Sequence, residues 1–371
     1  MTNITSWVRI RCCGNEPGQI EKPVSKEDRM DRRLFITVWT IIGLFLICGV
    51  AFAAAPYYEG KTIRVIVGYS AGGGYDTYAR VLSRHMGRHL PGNPGIIVEN
   101  MTGAGSLISA NYLYKMAKPD GLTIGHFNGG LFFNQVLEQP GIEFDTRKFE
   151  FIGAAVKEEC AFAFTKASGI TSMEKWMASK TPVKMGGVGP GAYAPDNVIR
   201  LAKAALNLPI QLVSGYKGTA DIRLACESGE LAGTSWGWDS MRSTWRKALD
   251  TGDVVVVLQA VPKPFKDLPN VPLVINYAKT DEARQLVEFG IHSPSVFARP
   301  FVLSPGTPKD RVQMLRKALL DTLKDKEFLA EMEKAKLDLD PVTGDDLEKA
   351  ATSIFKLNAT LVAKLKDILF K

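Results

Sequence analysis

The sequence predicts an α/β protein of two lobes, each a mostly parallel sheet flanked by helices, with a ligand cleft between them. Three observations predict it. The stretch Ile63–Arg80 reads as strand, glycine loop and helix: an apolar β-branched run stops at Gly68, Ser70-Ala71-Gly72-Gly73-Gly74 follows, and Tyr75-Asp76-Thr77 opens a helical pattern. That unit then recurs, short strands alternating with amphipathic segments, which implies parallel pairing through right-handed crossovers. At about Phe151 the pattern gives way to a long apolar run and then restarts, which divides the chain into two facing units.

In order, Tyr78 to Leu90 carries Tyr78, Val81, Leu82 and Met86 at helical spacing. Gly95–Glu99 is a second strand, Asn100–Gly105 a second glycine loop and Ser106–Ala117 a second helix. Leu122–Phe127 is a third strand, ending at the cleft's expected mouth, because ligands on such sheets bind beyond the strands' carboxyl ends. Phe151–Phe164 is long enough to cross between lobes. Beyond it come a helix (Ile170–Ala178), a strand (Val183–Val188), a third glycine loop (Gly189-Pro190-Gly191-Ala192-Tyr193) and a helix (Asp196–Asn207). Strand Ile210–Val213 leads into the loop Gly215-Tyr216-Lys217-Gly218-Thr219 and a helix at Asp221–Ser228. Leu231–Trp238 and Asp253–Leu258 are further strands, and Phe297–Leu303 is the return crossing, where Arg299 reads as structural. Pro308 opens a long helix striped by Val312, Leu315, Leu319 and Leu323, and tail helices follow at Asp325–Lys336 and Asp345–Leu369. The expected division is 1–55 as leader and signal peptide, 56–155 with 291–371 as a discontinuous first lobe, and 156–290 as the second.

Residues 34–50 are continuously apolar or weakly polar, preceded by Arg32-Arg33 and followed by Ala51-Phe52-Ala53-Ala54-Ala55. Basic end, apolar core and small-residue exit read as an export signal cleaved near Ala53–Ala55; the alternative is a retained membrane anchor, for which the run is at the short end of the roughly 20 residues needed to span. Met30 makes a normal start for such a signal, and residues 1–29 are expected either to precede the true start or to be disordered. The 371 residues are 46% hydrophobic and 23% charged, and the net +7 is scattered, with no run resembling a nucleic-acid arm. Residues 1–55 hold seven basic and five acidic residues, so the remainder keeps +5. That remainder holds two cysteines, Cys160 and Cys226, read as buried free thiols. His85 and His89 read as a solvated surface pair, and no set of residues has metal-ligand or catalytic spacing.

The chain resembles the exported substrate-binding receptors of tripartite tricarboxylate transporters, the Bug receptors. Gly68–Asp76 is similar to that family's Pro-Ala-Gly-Gly-x-x-Asp loop, Val98–Gly105 to its V-E-N-x-x-G-A-G, and Ala117–Gly121 to its A-x-P-D-G turn. Tyr216-Lys217-Gly218, Leu268–Pro272 and Pro305–Pro308 match three further motifs in order. The resemblance implies a type II periplasmic binding protein: a two-lobed clamp, not an enzyme and without cofactor or metal. It implies a monomer that holds a small carboxylate through loop amides and waters. Its implied partners are the large and small membrane subunits of an ion-gradient-driven transporter. The chain departs from the pattern where Ser70 replaces the loop proline, at Gly189–Pro195, and at Thr234–Asp239.

The expected ligand-binding residues are therefore Ser70, Ala71, Gly72, Gly73 and Gly74, whose backbone bends freely and precedes a helix N-terminus suited to an anion. Asp76 caps amides there or holds a bridging water. His126 is a hydrogen-bond donor at the cleft mouth, beside Asn128. Gly189, Gly191 and Tyr193 face them, with Tyr216, Lys217 and Gly218, where Lys217 is either the charge complement or a solvated lysine. By the resemblance, Trp236 and Asp239 line the distal end, and Trp236 and Trp238 either face an aromatic acid or pack in the core. Two rival functions remain at this point. One is a dinucleotide-dependent enzyme, although Gly72-x-Gly74-x-x-Thr77 is not the full fingerprint and Glu99 lies 27 residues after Gly72. The other is a binding protein feeding a sensor kinase.

Overall fold

The computed structural model describes residues 55–370. The expectations for the export signal, the start site and Cys12, Cys13 and Cys48 lie outside the described residues.

Eleven strands form two sheets among the described residues. In chain order they are β1 (Thr62–Val67), β2 (Gly95–Asn100), β3 (Thr123–His126), β4 (Glu150–Ala154), β5 (Cys160–Thr165), β6 (Val183–Gly186), β7 (Ile210–Val213), β8 (Gly233–Gly237), β9 (Val254–Ala260), β10 (Phe301–Leu303) and β11 (Val342–Thr343). The first sheet runs β11-β4-β10-β3-β1-β2 and the second β7-β6-β8-β5-β9.

Each sheet is mixed rather than mostly parallel. β1 pairs in parallel with β2 and β3, and β6 with β7 and β8, because a helix returns the chain between them. The crossing strands break the pattern. The forward crossing supplies β4 and the return crossing β10, so the two run in opposite directions and pair antiparallel, as β10 also does with β3. In the second sheet β5 lies antiparallel between β8 and β9 and is wholly buried. That burial explains why β5 reads as a continuous apolar run and not an alternating one.

The helix after β1 is Gly74–Met86, and its buried face carries Tyr75, Tyr78, Val81 and Leu82. His85 and His89 are not a solvated pair. They meet Glu331 at 2.6 Å and Asp325 at 2.9 Å and dock this helix on the Lys326–Ala335 helix. Arg84 and Arg88 share the same acidic face. Cys160 and Cys226 are free and buried. The tail departs from expectation. Asn358 accepts from the Leu361 N–H at 2.8 Å and starts a new helix, Ala359–Phe370, so the long terminal helix is broken in two. Its Leu365 packs with Leu201 around Gly290, which brings this helix onto the Val198–Leu206 helix beside the second sheet, while its Lys366 pairs with Glu138 of the first lobe. A helix at Gly130–Val136 appears where no periodicity announced one.

Candidate ligand site between the lobes

The loops at the carboxyl ends of the strands face each other across a cavity of about 320 Å³. Gly68-Tyr69 after β1 and Gly103–Ser106 after β2 form one wall; Val188–Pro190 and Ser214–Lys217, after β6 and β7, form the other.

Gly103–Ser106 is the most unusual backbone among the described residues. Four successive residues have positive φ: Gly103 137°, Ala104 47°, Gly105 62° and Ser106 74°. Glycine adopts such angles freely, but Ala104 and Ser106 do so at a cost of order 1–3 kcal/mol each, which the surroundings must offset. Ser106 Oγ accepts from the Asn128 N–H at 2.9 Å, and Ser109 Oγ donates to the Ser106 carbonyl at 2.8 Å. These bonds pin the turn from both sides.

Among the described lining residues Lys217 is the one that carries a charge. Tyr69 is buried, and its hydroxyl has no hydrogen-bond partner. Burial pushes that hydroxyl well above the ordinary tyrosine range, with the nearby Glu158 and Asp196 charges acting in the same direction, so it stays protonated at neutral pH.

The glycine loop after β1 is arranged differently from its expected role. The Gly72 N–H donates to the Asp76 carboxylate at 2.9 Å, and the same carboxylate accepts from Arg80 Nε at 2.8 Å and Asn100 Nδ2 at 2.9 Å. The loop's anion is thus its own aspartate, in the capping role foreseen for it. Burial opposes that charge, but the Arg80, Gly72 and Asn100 donors outweigh it and hold the carboxyl below the usual range. Gly73 and Gly74 lie against the facing lobe, where an added Cβ would come within 2.8 Å of Thr219 Oγ1 and 1.9 Å of Ser240 Oγ respectively. Ala71 and Gly72 are exposed.

Of the other expected residues, Gly189, Tyr216 and Lys217 line the cavity. Ser70 and Gly218 meet at its edge, where a Cβ on Gly218 would lie 2.4 Å from Ser70 Oγ. His126 does not reach the mouth. It is 1% exposed, stacks on Phe301 at 4.0 Å and points Nδ1 at the Pro300 carbonyl, 2.9 Å away. Burial pushes it down to about 3, so the ring is neutral. Asn128 accepts from the Gly130 N–H at 2.9 Å and donates to the Gly191 carbonyl at 3.3 Å, which ties the third glycine loop to the first lobe. Tyr193 donates to the Ile291 carbonyl at 2.6 Å from within the core. Trp236 stacks on Trp245 at 5.2 Å, and Trp238 donates to Asp267 at 3.0 Å, so neither indole lines the cavity. Asp239 pairs with Arg299 at 3.1 Å.

Arg299 is the centre of a second buried constellation. Its guanidinium also donates to Glu158 at 2.9 Å and Ser240 at 2.8 Å, and Tyr75 donates to Glu158 at 2.7 Å. Glu158 sits on the forward crossing and Arg299 on the return crossing, so this network joins both connections between the sheets. The cavity-lining residues that sequence reasoning left out of the site are Gly68, Tyr69, Gly103–Ser106, Val188, Pro190, Ser214 and Gly215. The second glycine loop was visible in the sequence and carried the signal for Gly103–Ser106.

No family model matches the chain. Against solved structures, the periplasmic binding protein BugD superposes with a TM-score of 0.68 at 20% identity, over 84% of this chain and 98% of that one. The chain has the fold of a type II periplasmic binding protein. The two-lobed fold recurs in MatC of Rhodopseudomonas palustris with bound malate (TM-score 0.64, 19% identity, 84% and 99% covered). It recurs again in Rpa4515 of R. palustris with adipate (TM-score 0.68, 18% identity, 84% and 98% covered). Among curated proteins, a UPF0065 protein of the gbd 5′ region of Cupriavidus necator is 37% identical over 99 residues, 26% of this chain and 29% of that protein. A UPF0065 protein of Bordetella bronchiseptica is 26% identical over 157 residues, 42% and 46% respectively. Each match spans less than half of the curated relative's length. The resemblance to Bug-type binding proteins read from the loops is thus met by the same fold and by sequence relatives. Among the described residues of this binding-protein fold, no helix is long and apolar enough to cross a membrane.

Proposed function

We propose that the chain is an exported solute-binding receptor of the Bug type. It captures a small organic acid between its lobes and delivers it to the membrane subunits of a tripartite tricarboxylate-type transporter. The observation that carries the reading is the interlobe cavity itself, of about 320 Å³, walled by backbone-rich glycine loops and facing one cation, Lys217. Such a wall offers amides to a carboxylate, and Lys217 supplies the opposite charge. Two neighbours of the same fold hold malate and adipate, which supports a carboxylate of that size. A dinucleotide enzyme is disfavoured by geometry: the Gly72 amide is taken by Asp76, and Gly73 and Gly74 face the other lobe, not a pyrophosphate.

A thermal-shift screen of malate, adipate, citrate and benzoate tests the proposal, because a ligand that binds only the folded state raises its melting temperature. At least one aliphatic acid is expected to raise it by several degrees. If none does, the carboxylate reading fails. For the acid that binds best, Lys217→Ala is expected to weaken affinity about tenfold by calorimetry and to flatten its salt dependence, as loss of one partly exposed charge-assisted contact implies.

A further inference from the structure

We propose that Ser70 is a positioning residue that latches the two lobes together and sets the loop carrying Lys217 against the cavity. Ser70 stands at the place of a proline in the loop the chain resembles. Proline has neither an N–H nor a hydroxyl to donate. Ser70 uses both. Its N–H donates to the Lys217 carbonyl at 3.2 Å, and its Oγ donates to Asp221 Oδ2 at 2.7 Å. The partners are far apart in sequence and belong to opposite sheets, Ser70 after β1 and Lys217 and Asp221 after β7. The facing surface is shaped for the approach: Gly218, between the two partners, has no side chain, and a Cβ there would lie 2.4 Å from Ser70 Oγ. One hydrogen bond fixes the backbone of the cavity's charged residue. The other adds a carboxylate acceptor, and charge-assisted bonds of this kind are roughly twice as strong as neutral ones.

The consequence is that closure does not depend on ligand contacts alone. A latch made by the protein itself raises the closed population before any ligand arrives, and the ligand then needs less differential affinity to complete the shift. The inference rests on the cavity between the lobes, not on which acid fills it.

The test is double electron–electron resonance on the purified, ligand-free protein, with spin labels at Met116→Cys and Met177→Cys. These two exposed positions lie in opposite lobes, Met116 just past the Leu107–Lys115 helix and Met177 at the end of the Met173–Met177 helix, and the two described native cysteines, Cys160 and Cys226, are buried. The parent protein is expected to show a short-distance closed population. Ser70→Ala and Asp221→Ala are each expected to lower the closed-to-open ratio about fivefold, and the double variant no further, because both remove the same bond. Ser70→Pro should fall at least as far, and Asp221→Asn, which keeps an acceptor oxygen, should retain most of the closed population. Circular dichroism checks the fold of each variant; if Asp221→Ala fails to fold, Ser70→Ala and Asp221→Asn decide. A parent without a closed population, an unchanged distribution in Ser70→Ala, or independent additive effects would overturn the latch. No acid is added, so these outcomes are separate from failure of the carboxylate screen.

Discussion

Asp76 shows how one residue settles what a motif can do. A glycine loop before a helix N-terminus offers unpaired amides to any anion, and here Asp76, one turn into the helix, takes the Gly72 amide itself. Its carboxyl is held below the ordinary range of about 3.9, so its stabilising contribution is complete above that unfolded value and is lost as pH falls through the lower folded one. Asp76→Ala is expected to cost about 2 kcal/mol at neutral pH by urea denaturation, the scale of a buried charge-assisted bond and a lost cap. The variant should also lose less stability than the parent on acidification below about pH 4, the range in which the wild-type carboxyl protonates. An equal acid sensitivity in both would remove Asp76 from this role. The sequence made Asp76 legible as a cap, because an acidic residue at that offset suits only a short list of partners. It did not make His126 legible. Position past a strand end puts a side chain near a cleft, but whether the ring turns into the core is decided by Phe301 and Pro300, 174 residues away at the latter.

At the scale of the element, the three glycine loops perform three different tasks. The loop after β2 builds a cavity wall from left-handed backbone, the loop after β1 lets the lobes approach, and the loop at Gly189–Tyr193 is tied to Asn128 and Asn134 across the seam. Gly103→Ala puts a side chain at φ 137° and a Cβ 2.4 Å from Ile108 Cδ1, so it is expected to cost about 2 kcal/mol or more in chemical denaturation. Gly73→Val is expected to abolish acid binding by calorimetry while the free protein keeps its melting temperature within a few degrees. The reason is the facing lobe: a Cβ at this position would lie 2.8 Å from Thr219 Oγ1, so the side chain wedges the lobes apart. Retained affinity in Gly73→Val would mean that closure at this seam is not needed for binding.

The whole molecule turns on the two crossings. Arg299 is fully buried with Glu158 and Asp239, and although burial opposes its charge, Asp239 and Glu158 hold the guanidinium well above its ordinary range. The same group lies over the rings of Tyr75 and Tyr78, at 5.1 and 5.4 Å. Arg299→Leu leaves two buried carboxylates without a counter-charge and is expected to cost about 3–5 kcal/mol by urea denaturation. Adding Glu158→Gln and Asp239→Asn should recover part of that loss; no recovery would mean that the cost lies in packing and not in charge.

The order of the strands, the three glycine loops, the two buried thiols and the likeness to a Bug-type receptor were present in the sequence, whereas the helix at Gly130–Val136 and the break at Asn358 were not. The features that were present rest on local rules: β-branched runs, helical spacing, and glycine where the backbone must turn. The tertiary structure alone decided how those loops are shared out. Only tertiary contacts show that Asp239 turns to Arg299, that Tyr69 and Gly103–Ser106 wall the cavity, and that Ser70 reaches Asp221 across the lobes. The physical reason is separation along the chain. A loop's conformation is set by its own residues, but its partner is set by a second sheet folded more than a hundred residues later, and no local pattern encodes which side chain it will meet.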